Sequence, residues 1–256
     1  MFVDAHCHID ALEERTGETF DSLLAQMETP PEAFIHNAPN LAAFEYARII
    51  SETHANVYAT YGIHPEDIEN FDEARLIITD YWSHERCVAC GEFGLDYHYG
   101  ADTREEQLRV FETQLDDALE TGKPLVLHLR EAEDDSIAIL KNANIANTKI
   151  HVHCFTSNRE YAEKLLGISD NIYIGFTGIL TFRTADYIRE AASIVPMNRL
   201  LLETDSPFMA PVPYRGKPSH GGMIPHIAKQ LAEIKNVELD ELYASVRQNT
   251  KDVYGV

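Results

Sequence analysis

The sequence predicts one α/β domain, a (β/α)8 TIM barrel that spans residues 1–256. Short apolar runs alternate with longer amphipathic stretches along the whole chain, which is the pattern of alternating strands and helices. Eight such apolar runs occur, and eight strand–helix units in about 250 residues are the size of a TIM barrel. A doubly wound open sheet is the alternative, but the Gly-rich turn that usually follows its first strand is replaced here by "HCHIDALEE".

The first half of the chain supplies four predicted strands. Each is a short run of β-branched, aromatic or other apolar residues, and the runs are "FVDAH", "AFIHN", "VYATYG" and "CVACGEFG". Between the second and fourth runs, apolar residues recur at three- and four-residue spacing. This spacing predicts helices over Leu41–Thr53 and Asp72–Ser83.

The second half repeats the pattern with clearer boundaries. A helix predicted over Thr103–Thr121 begins at Asp102-Thr103-x-x-Glu106, which resembles a capped start, and ends before Pro124. The next strands are "LVLHL", "IHVHCF", "IYIGFTG" and "LLLETD". The helices that accompany them are predicted over Asp134–Asn144, Arg159–Leu166 and Ala185–Ile194.

The charge of the chain restricts its partners. With 21 basic and 42 acidic residues, the net charge is -21, which argues against broad electrostatic binding to nucleic acid or to an anionic membrane. A phosphate held locally by a metal ion stays compatible with this charge. The sequence has no apolar run of 18 residues and no signal-peptide pattern at its start, so we expect a cytoplasmic protein without a membrane partner. It implies no protein partner.

Residues of the types that bind metals recur where the predicted strands end. They are His6 and His8 on the first strand, His64 after the third, Glu92 on the fourth, His128 on the fifth, His153 on the sixth and Asp205 on the eighth. The carboxyl ends of barrel strands meet at one mouth. Because His6 and His8 are two residues apart on a strand, they leave the same face and can reach one ion, whereas Cys7 points away.

The donor set favours two divalent ions over one structural zinc. Without His64, these are six nitrogen and oxygen donors with no cysteine, and they suit two ions that share a carboxylate. Imidazole favours zinc, and carboxylates also accept manganese or magnesium, so the identity of the metal stays open. His151 can share the face of His153 but lies deeper in the strand, and Glu203 is either a support for the site or a member of a buried ion pair.

Several motifs together resemble the TatD family of metal-dependent hydrolases, in the amidohydrolase superfamily. They are "FVDAHCHID", "YGIHPED", "GEFGLDYHY", "PLVLHLREA", "HVHCFTSNREYAEKLL", "GFTGILTFR", "LLLETDSPFMAP" and "YRGKPSHGGMIPHIAKQLAEIK". The resemblance implies a TIM barrel with two ions. It assigns His6, His8 and Asp205 to one ion, His128 and His153 to the other, and Glu92 to both.

The resemblance also implies an activity. Members of this family look like deoxyribonucleases, including 3′ exonucleases, in which a metal-activated water attacks the phosphodiester. We therefore expect hydrolysis at DNA ends or of another small phosphodiester, with Asp205 taking the proton of the water and Glu92 fixing the separation of the two metals. His64 is predicted to contact the phosphate or to deliver a proton to the leaving oxygen, or else to make a structural hydrogen bond.

Three cations are candidate phosphate contacts. Arg215 and Lys217 lie in the loop "YRGKPSHGG", which the resemblance places over the mouth, and Arg130 follows His128. The loop lacks the Asn that relatives commonly carry, which leaves the substrate less defined than the ligands. The alternatives are a metal-dependent ester or amide hydrolase, such as a D-aminoacyl-tRNA deacylase, and a barrel whose metals only stabilise a binding protein.

Overall fold

Eight parallel strands form one sheet in the order β1 to β8, which confirms the predicted (β/α)8 barrel. The structure is a computed structural model that describes residues 1–99 and 101–256. The strands are β1 Val3–Cys7, β2 Ala33–Ala38, β3 Val57–Tyr61, β4 Cys87–Asp96, β5 Leu125–Arg130, β6 Ile150–Val152, β7 Ile172–Phe176 and β8 Leu200–Leu202.

Eleven α-helices lie between and after the strands in these described residues. They are α1 Ile9–Thr16, α2 Phe20–Gln26, α3 Leu41–Thr53, α4 Phe71–Arg75, α5 Ile78–Trp82, α6 Arg104–Leu119, α7 Glu133–Asn142, α8 Arg159–Leu166, α9 Asp186–Ile194, α10 Ile224–Lys235 and α11 Leu239–Tyr254. Of the helices in the described ranges, none is both long enough and apolar enough to cross a membrane.

The helix predicted over Asp72–Ser83 is wrong as a single element. The chain makes two short helices there, α4 and α5, because the backbone N–H groups of Leu76 and Ile77 donate to carbonyls only three residues back. These tighter turns break the regular helical hydrogen bonding. Phe71 in α4 and Trp82 in α5 are buried, one on each side of the break, while Leu76 at the break is 82% exposed.

Alternate residues of β5 belong to two of the three apolar clusters found among the described residues. Leu125 and Leu127 belong to a large cluster that includes residues of the helices, whereas Val126 belongs to a smaller one with Tyr173 and Leu201. Because successive side chains of a strand point to opposite faces of the sheet, the smaller cluster fills the inside of the barrel. Tyr254 of α11 joins this inner cluster.

The barrel closes where the chain leaves β8. The N–H of Asp205 donates to the carbonyl of His6 at 3.0 Å, and the N–H of His8 donates to the carbonyl of Ser206 at 2.8 Å. Cys7 and Ser206 form an isolated parallel bridge at the same point. Asp205 is therefore fixed beside the end of β1.

Gly175 of β7 has no room for a side chain. A Cβ atom there would lie 2.3 Å from His151 Nε2 and 2.6 Å from both carboxylate oxygens of Glu203. We expect Gly175→Ala to lower the free energy of unfolding by about 1–3 kcal/mol, the usual cost of overpacking a core. Urea unfolding measures this loss. Gly167→Ala, where the nearest atom would lie at 3.3 Å, is the matched control, and equal stability of both variants would contradict the prediction.

Candidate metal centre

The ends of β1 and β8 bring the first three donors together. His6 lies within β1, and Asp205 lies three residues beyond β8. His8 is not on the strand as predicted, because β1 ends at Cys7 and His8 occupies the N-cap position of α1. Cys7 packs away from the mouth as predicted, with its thiol 3.4 Å from the carbonyl of Ile35.

Glu92 does not end its strand, contrary to the prediction. It lies inside β4, which continues to Asp96. The pairing of β4 with β5 shifts in register between Cys90 and Phe93. Such an irregularity changes the direction of side chains locally, and the carboxylate of Glu92, only 2% exposed, faces the donors of the neighbouring strands.

Four side chains form the first donor group. His6 Nε2 and His8 Nε2 are 3.2 Å apart. Carboxylate oxygens of Glu92 lie 3.5 and 3.3 Å from these two nitrogens, and Asp205 Oδ1 lies 3.7 and 3.5 Å from them. Two ligand atoms held at about 2.1 Å by one tetrahedral ion are about 3.4 Å apart. The spacing of these donors therefore fits one divalent cation.

A second donor group shares Glu92 with the first. Glu92 Oε2 lies 2.7 Å from His153 Nε2 and 3.8 Å from His128 Nδ1, and the two ring nitrogens are 3.0 Å apart. Two imidazole nitrogens that face each other at this distance need a proton or a cation between them. The residues thus fit a metal ion here too, and one carboxylate contacts both groups.

Charge at the first group favours a cation. Burial acts to raise the pKa of Glu92, but the imidazoles of His153, His6 and His8 hold it well below its usual range, so the carboxylate is ionised. Burial lowers the pKa of His6, which leaves its ring neutral. Burial also opposes the charged form of His8, yet Glu92 and Asp205 raise its pKa to about 9. A metal ion can supply the positive charge that these carboxylates favour.

His64 also lies at the mouth of the barrel. Its hydrogen bonding fits a donor of hydrogen bonds better than a metal ligand. It lies near enough to Glu92 and His128 to join a metal cluster. The N–H of Glu66, however, donates to His64 Nδ1 at 3.1 Å. Burial and the neighbouring His128 lower the pKa of His64 to about 3, so the ring is neutral and its proton sits on Nε2. A protonated Nε2 has no lone pair for a metal.

Asp96 is a site residue that the sequence reasoning missed. Its Oδ2 accepts from His128 Nε2 at 2.8 Å, and its Oδ1 accepts from the N–H of His98 at 2.8 Å. This contact holds the proton of His128 on Nε2 and leaves Nδ1 free toward Glu92. The apolar run that predicts the strand ends at Gly94, two residues before Asp96, so the pattern does not point to this carboxylate.

A buried layer lies beneath the donors. His151 Nδ1 lies 2.6 Å from the hydroxyl of Tyr254, and His151 Nε2 lies 2.8 Å from Glu203 Oε2. Both ring nitrogens of His151 therefore contact buried partners and do not point into the mouth. Glu203 Oε1 also accepts from the N–H of Cys154, which follows the donor His153. Glu203 is therefore a buried partner of His151 and, through the N–H of Cys154, also supports the segment that carries His153.

A cavity of about 540 Å³ opens over the donor groups, and we refer to it as the mouth cavity. Its lining includes Glu92, Asp205, His64 and Arg130. Arg215 and Lys217 are not among its lining residues. The guanidinium of Arg215 stacks 4.0 Å from the ring of Phe182, and both cations are exposed. Phosphate contact by these two residues stays a prediction.

A (β/α)8 barrel with histidine and carboxylate donors gathered at the carboxyl ends of its strands defines a metal-dependent TIM-barrel hydrolase. The chain belongs to the TatD family: the family described as TatD related DNase matches residues 3–255. The chain is 37% identical over 247 residues to the "Uncharacterized metal-dependent hydrolase YcfH" of Escherichia coli K12, which covers 94% of this chain and 91% of that protein. It is 33% identical to the human "3'-5' RNA nuclease TATDN2" over 272 residues, which cover 100% of this chain and 35% of that protein.

Solved structures agree with this assignment. YJJV, a TatD homologue from Escherichia coli K12, superposes with a TM-score of 0.82 at 26% identity, covering 100% of this chain and 98% of that one. A TatD family hydrolase from Entamoeba histolytica has a TM-score of 0.84 at 22% identity, with 99% and 97% coverage, and shows the shared fold.

The contact between Asp96 and His128 gives a test of the second donor group. We expect Asp96→Ala to weaken binding of Zn²⁺ or Mn²⁺ by about 10- to 100-fold, the usual effect of removing a carboxylate that orients a histidine ligand. Calorimetric titration of the metal-free protein measures the affinity. Asp117→Ala, which removes a carboxylate paired with Arg75 on the outer helices, is the control. A folded Asp96→Ala protein with unchanged affinity would contradict this role.

Proposed function

We propose that the protein is a metal-dependent phosphodiesterase, a TatD-type deoxyribonuclease that cleaves at the 3′ end of a strand. The observation that supports it best is the pair of donor groups that share Glu92 at the base of an open cavity. In this proposal the first group holds one ion through His6, His8 and Asp205, and the second holds another through His128 and His153. Zinc, manganese and magnesium are all compatible with these donors.

Divalent ions, when bound, lower the pKa of water and neutralise phosphoryl oxygens, which a phosphodiester needs because nucleophile and substrate repel each other. The protein's own residues do the rest. Asp205, whose side chain is 12% exposed at the mouth, accepts the proton of the attacking water. Glu92, which is 2% exposed, holds the two donor groups at a fixed separation.

His64 and Arg130 bind the substrate in this proposal. The Nε2–H of His64 donates to a phosphate oxygen or to the leaving oxygen, since its Nδ1 is already an acceptor of the Glu66 N–H. Arg130 lines the mouth cavity and keeps donors available, because its only carboxylate partner within the described residues is Asp96, at 3.7 Å. Arg215 and Lys217 extend this contact if their loop meets a longer strand.

The charge of the rim favours a strand end over a long duplex. Four carboxylate side chains line the mouth cavity in addition to the donors and Asp96: Asp10, Glu14, Glu66 and Asp67. A polyanion laid across this rim would meet like charges, whereas one phosphate beside the bound ions and Arg130 would not. Short contact at an end is therefore the geometry that we propose.

The test is a substrate panel of single-stranded DNA, RNA, a small phosphodiester and a D-aminoacyl ester, each with Mn²⁺, Mg²⁺ or Zn²⁺. We expect release of mononucleotides from 3′ ends, and a loss of at least about 100-fold in Glu92→Ala and Asp205→Asn, because a ligand matters more than the partner that orients it. RNA is included because TATDN2 is an RNA nuclease by name. Cleavage of the D-aminoacyl ester alone would support the deacylase alternative, and intact substrates throughout would contradict both.

His64→Ala separates substrate contact from metal binding. We expect kcat/KM to fall by about 100-fold or more, as when one hydrogen bond to the reacting oxygens is removed, while the affinity for metal stays within about twofold. Steady-state kinetics and calorimetry measure the two quantities. His226→Ala, a histidine of α10 outside the lining of the mouth cavity, is the control. Loss of metal affinity in His64→Ala would instead identify His64 as a ligand.

A further inference from the structure

A second cavity of about 420 Å³ opens beside the mouth cavity. Arg130, Thr156 and Met209 line both cavities, so the two adjoin at the mouth of the barrel. We refer to the second as the side cavity and define it by Arg130, Glu131, Glu133, Ile179, Tyr187 and Met209. Its volume is within the range of about 300–1,000 Å³ that small ligands occupy.

The charges of the side cavity disfavour a second phosphate. Glu131 and Glu133 contribute carboxylates to its wall, and Arg130 stands at its border with the mouth cavity. His98, which also lines it, is paired with Glu131 at 2.6 Å. A phosphate is therefore favoured at Arg130, and the group beyond it must be uncharged or carry hydrogen-bond donors.

The remaining surface of the side cavity suits a flat ring. Ile179 and Met209 supply apolar contact, and the ring of Tyr187 on α9 is 46% exposed. The Oε1 atom of Glu133 accepts a hydrogen bond from Ser157 Oγ at 2.6 Å, and the Oε1 atom of Glu131 is hydrogen-bonded to His98. Within residues 1–99 and 101–256 the second oxygen of each carboxylate has no hydrogen-bond donor, so it can accept from a ligand. Amino and imino groups of nucleobases are donors of this kind.

We propose that the side cavity binds a nucleobase that flanks the scissile phosphate, with the base stacked on Tyr187 and the phosphate at Arg130. This inference rests on the proposed phosphodiesterase function and names the part of the substrate that the side cavity recognises. It also accounts for activity on a polyanion by so acidic a chain, because recognition there depends on a base and not on further phosphates.

Dinucleotides test the proposal. We compare a dinucleotide with its two isomers in which one residue is abasic, in wild type, Tyr187→Ala and Tyr187→Phe. We expect the kcat/KM of wild type to be at least about fivefold lower for one abasic isomer than for the intact dinucleotide. This factor corresponds to the smallest free energy that one base–aromatic stack usually contributes. Tyr187→Ala removes this preference and Tyr187→Phe keeps it, since only the ring is needed. Leu76→Ala, at a residue 82% exposed on the outer surface, keeps wild-type kinetics.

A binding measurement tests the proposed base site independently of hydrolysis. A dinucleotide that carries fluorescent 2-aminopurine is titrated into each protein, and we expect quenching with an affinity at least about fivefold weaker in Tyr187→Ala than in Tyr187→Phe. Equal affinities, or no preference between the two abasic isomers, would overturn the side cavity as a base site. Wild type that binds the dinucleotide through Tyr187 but cleaves no phosphodiester would contradict only the proposed function. Tighter binding of a D-aminoacyl adenosine, lost in Glu133→Gln, would assign the cavity to an ammonium group and overturn the proposal.

Discussion

Two backbone hydrogen bonds at the seam of the barrel hold the candidate metal centre together. The N–H of Asp205 bonds the carbonyl of His6, and the N–H of His8 bonds the carbonyl of Ser206. The first and last strands of the sheet thereby place their donors within 3.7 Å of one another. Thr204 reinforces the seam, because its N–H and its hydroxyl both donate to the carboxylate of Asp4 on β1. If the seam opened, Asp205 would separate from both histidines. Closure of the sheet and assembly of the site are one event.

The electrostatics of the molecule work in two opposite ways. The chain as a whole carries a charge of -21, which repels polyanions, yet its mouth concentrates carboxylates that attract cations. Glu92 is almost fully buried and ionised, and the raised pKa of His8 shows that positive charge is favoured beside it. Bound metal ions would relieve this concentration of negative charge and so stabilise the folded protein by mass action. They would also create the local positive field that a phosphate requires.

Sequence periodicity predicted the barrel and the gathering of donors because both follow from local pattern and from the rule that strand ends meet. It could not locate Glu92 within β4, since the register shift toward β5 is set by contacts between strands. It missed Asp96, whose importance comes from one hydrogen bond to a histidine far along the chain. Proton positions were equally hidden, because the state of His64 depends on the N–H of Glu66.

The contact between Tyr254 and His151 links the candidate metal centre to a helix that is distant from it along the chain. The pair of His151 and Glu203 beneath the donors is completed by a hydroxyl from α11. If α11 detached from the barrel, His151 would lose this partner, and the layer beneath the donor histidines would be incomplete. Docking of α11 and the shape of the metal centre are therefore expected to be coupled.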